Sequence, residues 1–192
     1  GIKYYTQTHH LIIPEIFVMS KVTWDKMTPA DQALVKKFSR EAQLEQRALW
    51  EAGHDGLWCI DPIDGTSNFV RGLPYFAVSV ALVRAGESVL GVVYDPVAND
   101  MFAAERERGA FLNGEKLAGR ETAGEMAQAL ACVDMKRLKK KLVTHLATDP
   151  PYSSQRNFGA SALDWCYTAA GRYDMYLHGG QQLWDYAAGS LI

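Results

Sequence analysis

Asp61 and Asp64 stand three positions apart in Trp58-Cys59-Ile60-Asp61-Pro62-Ile63-Asp64-Gly65-Thr66-Ser67-Asn68-Phe69. Pro62 fixes its own φ and disfavours helix at Asp61, so the apolar run before it reads as a strand ending in a tight turn. A turn brings carboxylates at i and i+3 together, and two anions that close repel unless a proton or a cation lies between them. Carboxylate oxygens beside backbone carbonyls suit a hard cation, Mg²⁺ above all, and the Ile63 carbonyl lies between the two acids. Gly65-Thr66-Ser67 then opens a short helix, and free amides at a helix start suit a phosphate. A cation site beside an anion cradle is the equipment of metal-assisted phosphoryl transfer. Taken alone, an Asp-x-x-Asp-Gly turn favours a plainer reading, in which both acids bond local amides.

The elements around this turn follow from pattern. Residues 57–61 form a short buried strand, and 75–84 and 88–95 are long strands joined by a turn at Ala85-Gly86. Asn99-Asp100 and Asn113-Gly114 predict two further hairpin turns. Residues 136–146 and 160–171 read as helices, 173–178 as a strand, and the last helix starts near Asp185. Upstream, residues 4–19 are rich in aromatic and β-branched types and read as one or two strands broken at Pro14. Thr28-Pro29-Ala30-Asp31 has the form of an N-cap, a proline at the first helical position and an acid three after the cap. One long helix from about Pro29 to Ala52 follows, stopped by Gly53. The expected architecture is a layered α/β sandwich, with the 29–52 helix against a sheet built from residues 75–113.

Bulk properties narrow the classes. The 192 residues are 48% apolar, enough for a substantial core, and the net charge of −2 gives no reason to expect nucleic acid or a membrane as partner. No apolar run reaches the length of a transmembrane helix, the first residues lack a signal-peptide pattern, and a cytoplasmic location is expected. Cys59, Cys132 and Cys166 sit in apolar surroundings and read as small buried hydrophobes in a reducing compartment, with a disulfide pair plus one free thiol as the alternative. The basic run Lys136-Arg137-Leu138-Lys139-Lys140-Lys141 has no interleaved aromatics and reads as a solvated helix face.

The string DPIDGTSNFVRGLPYFAVSVAL, followed by GVVYDP, GAFLNG and a late WDYAAG, closely resembles the inositol monophosphatase family over about residues 54–192. The resemblance implies a Mg²⁺-dependent, lithium-sensitive phosphatase acting on a small phosphorylated substrate. It implies that Asp61 bridges two metals, that the Ile63 carbonyl binds one of them, and that Asp64 and Asp185 complete the second metal site. The amides of Gly65 and Thr66 would hold the phosphate, and the Thr66 hydroxyl would orient the attacking water. Gly159, Ala160 and Ser161 in NFGASAL match the segment that contacts substrate hydroxyls, and a homodimer is implied by the same likeness. By itself, Asp185 would read as an N-cap acid.

Two departures and one foreign likeness accompany this. The family has an upstream glutamate, often in a Gly-Glu-Glu string, that binds the first metal; this chain lacks the string, and Glu41, Glu45 and Glu51 all fall in the expected long helix. His178 stands seven positions before Asp185, where the family has a substrate-contacting glutamate. Residues 1–52 resemble the C-terminal part of TRAP-transporter dicarboxylate-binding (DctP-type) proteins, in the order Ser20-Lys21-x-x-Trp24-Asp25-Lys26-Met27-Thr28-Pro29-x-Asp31-Gln32. A chimera joined near Glu51 to Gly53 is therefore expected, with a phosphatase-like domain incomplete at both ends. A weakly active or inactive metal-binding fragment and a remnant carboxylate-binding module are the alternative readings.

Overall fold

The computed structural model describes residues 28–30, 32–33, 36–37, 56–119 and 124–192. The chain divides into two units, Gly1–Ala52 and Gly53–Ile192. Of the first, residues 29–30, 32–33 and 36–37 are helical, and the Gln32 amide donates to the Thr28 carbonyl at 2.9 Å, as an N-cap at Thr28 predicts. The strands expected at 4–19, the rest of the long helix, and Glu41, Glu45 and Glu51 lie outside the described residues.

The second unit carries two sheets. The larger is antiparallel throughout, in the order β1 (Leu57–Asp64), β2 (Ala77–Arg84), β3 (Glu87–Asp95), β4 (Asp100–Glu105), β5 (Gly109–Leu112) and β6 (Glu115–Lys116). Its turns are where the residue types demand them. Ala85 and Gly86 take φ 49° and 83°, and Asn113 and Gly114 take 51° and 85°, the left-handed pairs of two-residue hairpins. Alternation does the rest: on β2, Ala77, Ser79, Ala81 and Val83 are buried on one face. That face packs with Val93 and Phe102 against Leu163 and Cys166 of α3 (Ser161–Ala169). None of the three cysteines forms a disulfide, and all three are buried. The sheet extends the expected 75–113 span, because β1 pairs along β2 and runs on to Asp64 rather than stopping at Asp61.

The smaller sheet is parallel, with β7 (Leu130–Val133) between β8 (Ser154–Arg156) and β9 (Met175–Leu177). Parallel neighbours need crossovers. α2 (Lys140–Thr148) lies in the first and buries Leu146 beside Ala131, Val133 and Tyr152; α3 lies in the second. The helix expected at 136–146 is divided. Met135–Arg137 is a 3₁₀ turn capped by Asp134, Leu138 is extended, and α2 begins at Lys140. The backbone of Arg137 lies so close to Gly179 that a side chain there would collide with it, a packing constraint invisible to periodicity. α1 (Thr66–Arg71) follows the Asp61–Asp64 turn, and α4 (Leu183–Tyr186) ends the ordered elements near the C-terminus.

Among the described residues no helix is long and apolar enough to cross a membrane.

Candidate metal and phosphate site

The register of β1 on β2 shifts between Asp61 and Asp64, a bulge produced where Pro62 interrupts the ladder. The shift turns both acids toward one side of the strand end. Asp61 Oδ1 accepts from the Ile63 amide at 3.0 Å, closing the turn on itself. The Thr66 hydroxyl donates to the Ile63 carbonyl at 2.7 Å, leaving that carbonyl a second lone pair. Gly65 takes φ 78°, and a Cβ there would stand 3.0 Å from the Ala160 methyl and from the Tyr75 carbonyl. Only glycine fits the turn, both for conformation and for space.

Asp64 is buried, and its Oδ2 accepts from the Ala162 amide at 2.6 Å. That bond fastens the start of α3 to the turn. Asn68 adds a second fastening, donating to the carbonyls of Tyr75 at 2.8 Å and Phe158 at 2.6 Å. Asp185 comes from α4, where Gln182 is the N-cap and Asp185 is the third residue, its carboxylate accepting from the Gln182 amide at 2.7 Å. The expected helix start at Asp185 is thus corrected to Leu183: the acid belongs to a capping box, not to the cap itself. α4 is held over the sheet because Gly91 lets the backbone of Ala188 approach to within 2.8 Å of where a Cβ would be. Ser79 Oγ also reaches the Trp184 carbonyl, at 3.5 Å.

The result is that oxygen atoms of Asp61, Asp64 and Asp185 all lie within 4.8 Å of one another. Among the described residues, none of the ion pairs involves these three. Burial, with the Asp185 charge adding to it, pushes Asp61 up to about 6. Burial and the neighbouring acids push Asp64 up to about 7. Three mutually repelling carboxylates and a carbonyl, all oxygen donors outside the ion pairs of the described residues, are the donor set of a hard divalent cation.

A cavity of about 150 Å³ opens beside the acids, lined among others by Asp64, Gly159, Ser161, Asp164 and Asp185. Of the segment expected to meet substrate, Gly159 and Ser161 reach this cavity, whereas Ala160 is fully buried against Gly65. Ser161 Oγ bonds the Tyr176 hydroxyl at 2.8 Å and accepts from Gln181 at 3.1 Å. Asp164 accepts from the Tyr75 hydroxyl at 2.8 Å, and burial lifts its carboxyl to about 6.

Asp134, Asp164 and Tyr176 are cavity residues that sequence reasoning missed. One signal was available for Asp134: Ala131-Cys132-Val133-Asp134 repeats the apolar-run-then-aspartate pattern of Trp58-Cys59-Ile60-Asp61. Asn68 was in view inside the Gly-Thr-Ser-Asn string, but its partners lie in distant loops.

An acidic, metal-suited turn thus stands at the end of β1 on a layered α/β sandwich. The model of the inositol monophosphatase family matches residues 25–192, and the chain belongs to that family. It is 42% identical over 154 residues to the Nus factor SuhB of Pasteurella multocida, covering 77% of this chain and 57% of that protein. It is 39% identical over 158 residues to the inositol-1-monophosphatase of Mesorhizobium japonicum, covering 78% of this chain and 58% of that one. Among solved structures, SuhB of Mycobacterium tuberculosis superposes with a TM-score of 0.66 at 34% identity, covering 81% of this chain and 69% of that one. The chain therefore spans somewhat over half the length of the curated relatives it matches.

The family match begins at residue 25, well inside the stretch assigned to a solute-binding protein. The junction expected near Glu51 to Gly53, and the chimera built on it, find no support.

Proposed function

We propose that this chain carries the site of a Mg²⁺-dependent phosphatase that hydrolyses a small phosphate monoester, an inositol or sugar phosphate, with water as nucleophile. The observation that carries this reading is the meeting of Asp61, Asp64 and Asp185 within 4.8 Å at an Asp-Pro-Ile-Asp-Gly-Thr turn. Asp61, the Ile63 carbonyl, Asp64 and Asp185 would hold Mg²⁺. Bound there, the metal supplies a polarised phosphoryl group, a water of lowered pKa and charge neutralisation at the leaving oxygen.

The chain's own residues supply position. The Thr66 hydroxyl spends its proton on the Ile63 carbonyl, so toward the site it can only accept, which orients the attacking water. The amides of Gly65 and Thr66 hold the phosphate oxygens. Gly159 and Ser161 face the alcohol part, Ser161 with its hydroxyl already aligned by Tyr176.

The test is release of inorganic phosphate from inositol 1-phosphate and from sugar phosphates, in Mg²⁺ and in EDTA. Release that is insensitive to EDTA, or equal in Asp64→Asn, would sink the assignment. A second reading, metal binding with little turnover, rests on the sequence, in which no Gly-Glu-Glu string precedes Asp61. Calorimetric Mg²⁺ binding without phosphate release would select it.

A further inference from the structure

Two chemistry-bearing side chains outside the three-acid cluster meet in the same cavity. β7 and β9 are parallel neighbours, with Val133 paired to Leu177. The next residues, Asp134 and His178, therefore emerge side by side at the carboxyl edge of the small sheet. That is the edge at which open α/β sheets receive ligands. His178 Nε2 lies 3.4 Å from Asp134 Oδ2, and both residues line the cavity that holds Asp64 and Asp185.

The hydrogen bonds assign each a different task. His178 Nδ1 accepts from the Gly180 amide at 3.2 Å. A ring nitrogen that accepts carries no proton, so in the neutral ring the proton is on Nε2, toward Asp134. Burial holds the imidazole below its ordinary pKa, against the pull of Asp134. With both nitrogens engaged and a side chain only 8% exposed, His178 has nothing left for a ligand. Asp134 does. Its Oδ1 accepts from the Lys136 amide at 3.0 Å and its Oδ2 faces His178, yet a carboxylate offers about four acceptor positions. The remaining ones belong to a side chain that is 20% exposed and borders the cavity.

We propose that Asp134 is a specificity-determining residue for the alcohol half of the substrate, with His178 as its positioning residue, and that it selects a hydroxyl-bearing, otherwise uncharged phosphate monoester. This rests on the phosphatase reading above. An acceptor-only carboxylate rewards a hydroxyl donor and repels a second anionic group. Asp164, in the same lining, reinforces both preferences. Arg137 also borders the cavity, but its side chain is exposed to solvent, which weakens any counter-attraction.

The experiment compares inositol 1-phosphate, which has hydroxyls, with phenyl phosphate, which has none, using the 192-residue chain loaded with Mg²⁺. Asp134→Asn keeps an oxygen for the Lys136 cap but removes the charge and puts a donor where Oδ2 faced His178 and the cavity. The ratio of kcat/KM for inositol 1-phosphate over phenyl phosphate is expected to fall about tenfold to a hundredfold, mainly through KM. His178→Ala should lower the same ratio by less, and His178→Gln, which restores a donor toward Asp134, should recover part of it. Nitrogen NMR of the imidazole should show the Nε2–H tautomer in the wild type. An unaltered ratio in Asp134→Asn, or an Nδ1–H tautomer, overturns the assignment while leaving the phosphatase reading standing. Wild-type chain that turns over neither ester overturns that reading, and this assignment with it.

Discussion

The two sheets serve one cavity by opposite routes. The antiparallel sheet delivers Asp61 and Asp64 from a single turn, with Gly65 and Thr66 directly behind them. The parallel sheet delivers Asp134 and His178 from the ends of strands separated by two helices and a third strand. Hairpin pairing is local, so its functional residues form a contiguous string; crossover pairing is not, so its functional residues share an edge without sharing a motif. The cores differ in the same sense. The antiparallel sheet and α3 enclose a cluster that includes Val93, Phe102, Leu163 and Cys166, whereas the parallel sheet rests on a smaller one around Ala131, Val133 and Leu146. The Asp61–Asp64 half of the cavity should therefore be the rigid half and the Asp134–His178 half the adjustable one.

The sharpest way to break this contrast is Asp64→Asn. It removes a charge from the acid cluster while keeping the acceptor for Ala162. Turnover should fall about a thousandfold or more, the equivalent of several kcal/mol of lost charge stabilisation. Phosphate release assays check this, and near-normal activity would move the metal site elsewhere.

Next come two core truncations. Leu163 is fully buried beneath the site, and Leu163→Ala should cost about 2–5 kcal/mol. Val133→Ala, equally buried in the smaller core, should cost about 1.5 kcal/mol. Thermal melts give the stabilities, and calorimetry gives the Mg²⁺ affinity. Leu163→Ala should weaken Mg²⁺ binding, because α3 carries the Ala162 amide that fixes Asp64; Val133→Ala should instead alter the choice between phosphate esters. The reverse pattern would dissolve the division between the two halves.

A pH series sharpens the electrostatic side. Asp61 and Asp64 are raised from an ordinary 3.8 to about 6 and about 7. The folded, metal-free state therefore holds protons that the unfolded chain has released. Its stability from this source is full below about pH 4 and is lost as pH rises through 6 and 7, on the order of a few kcal/mol. Mg²⁺ binds the ionised acids, so the rise in Tm on adding Mg²⁺ should be small at pH 5 and large at pH 8. Equal increments at both pH values would contradict the site.

The smallest effect is expected far from the cavity, where Arg106 pairs with Glu87 at the exposed end of β3. Arg106→Ala should leave Tm and Mg²⁺ affinity within measurement error, because exposed ion pairs contribute little.

How much of this was legible before folding depends on distance along the chain. The pairing of Asp61 with Asp64 was legible in the Asp-Pro-Ile-Asp-Gly-Thr string because every part of it lies within one turn. The hairpins at Ala85-Gly86 and Asn113-Gly114 were legible for the same reason, since left-handed φ selects glycine and asparagine residue by residue. The helix at 136–146 was misjudged because a close backbone approach at Gly179 divides it. The likeness of residues 1–52 to a solute-binding protein finds no support, since the family match already begins at residue 25.

By itself, then, the sequence determined the acid turn, the glycine that lets it close, the hairpin sheet that carries it, and a late aspartate of the right kind. Only the tertiary structure decided that Asp185 stands within 4.8 Å of Asp61 and Asp64, and that Asp134 faces His178 across the same cavity. The physical reason is that the first set rests on local φ preferences and alternation, whereas the second rests on close packing at Gly91 and on the register of parallel strands, which no short stretch of sequence contains.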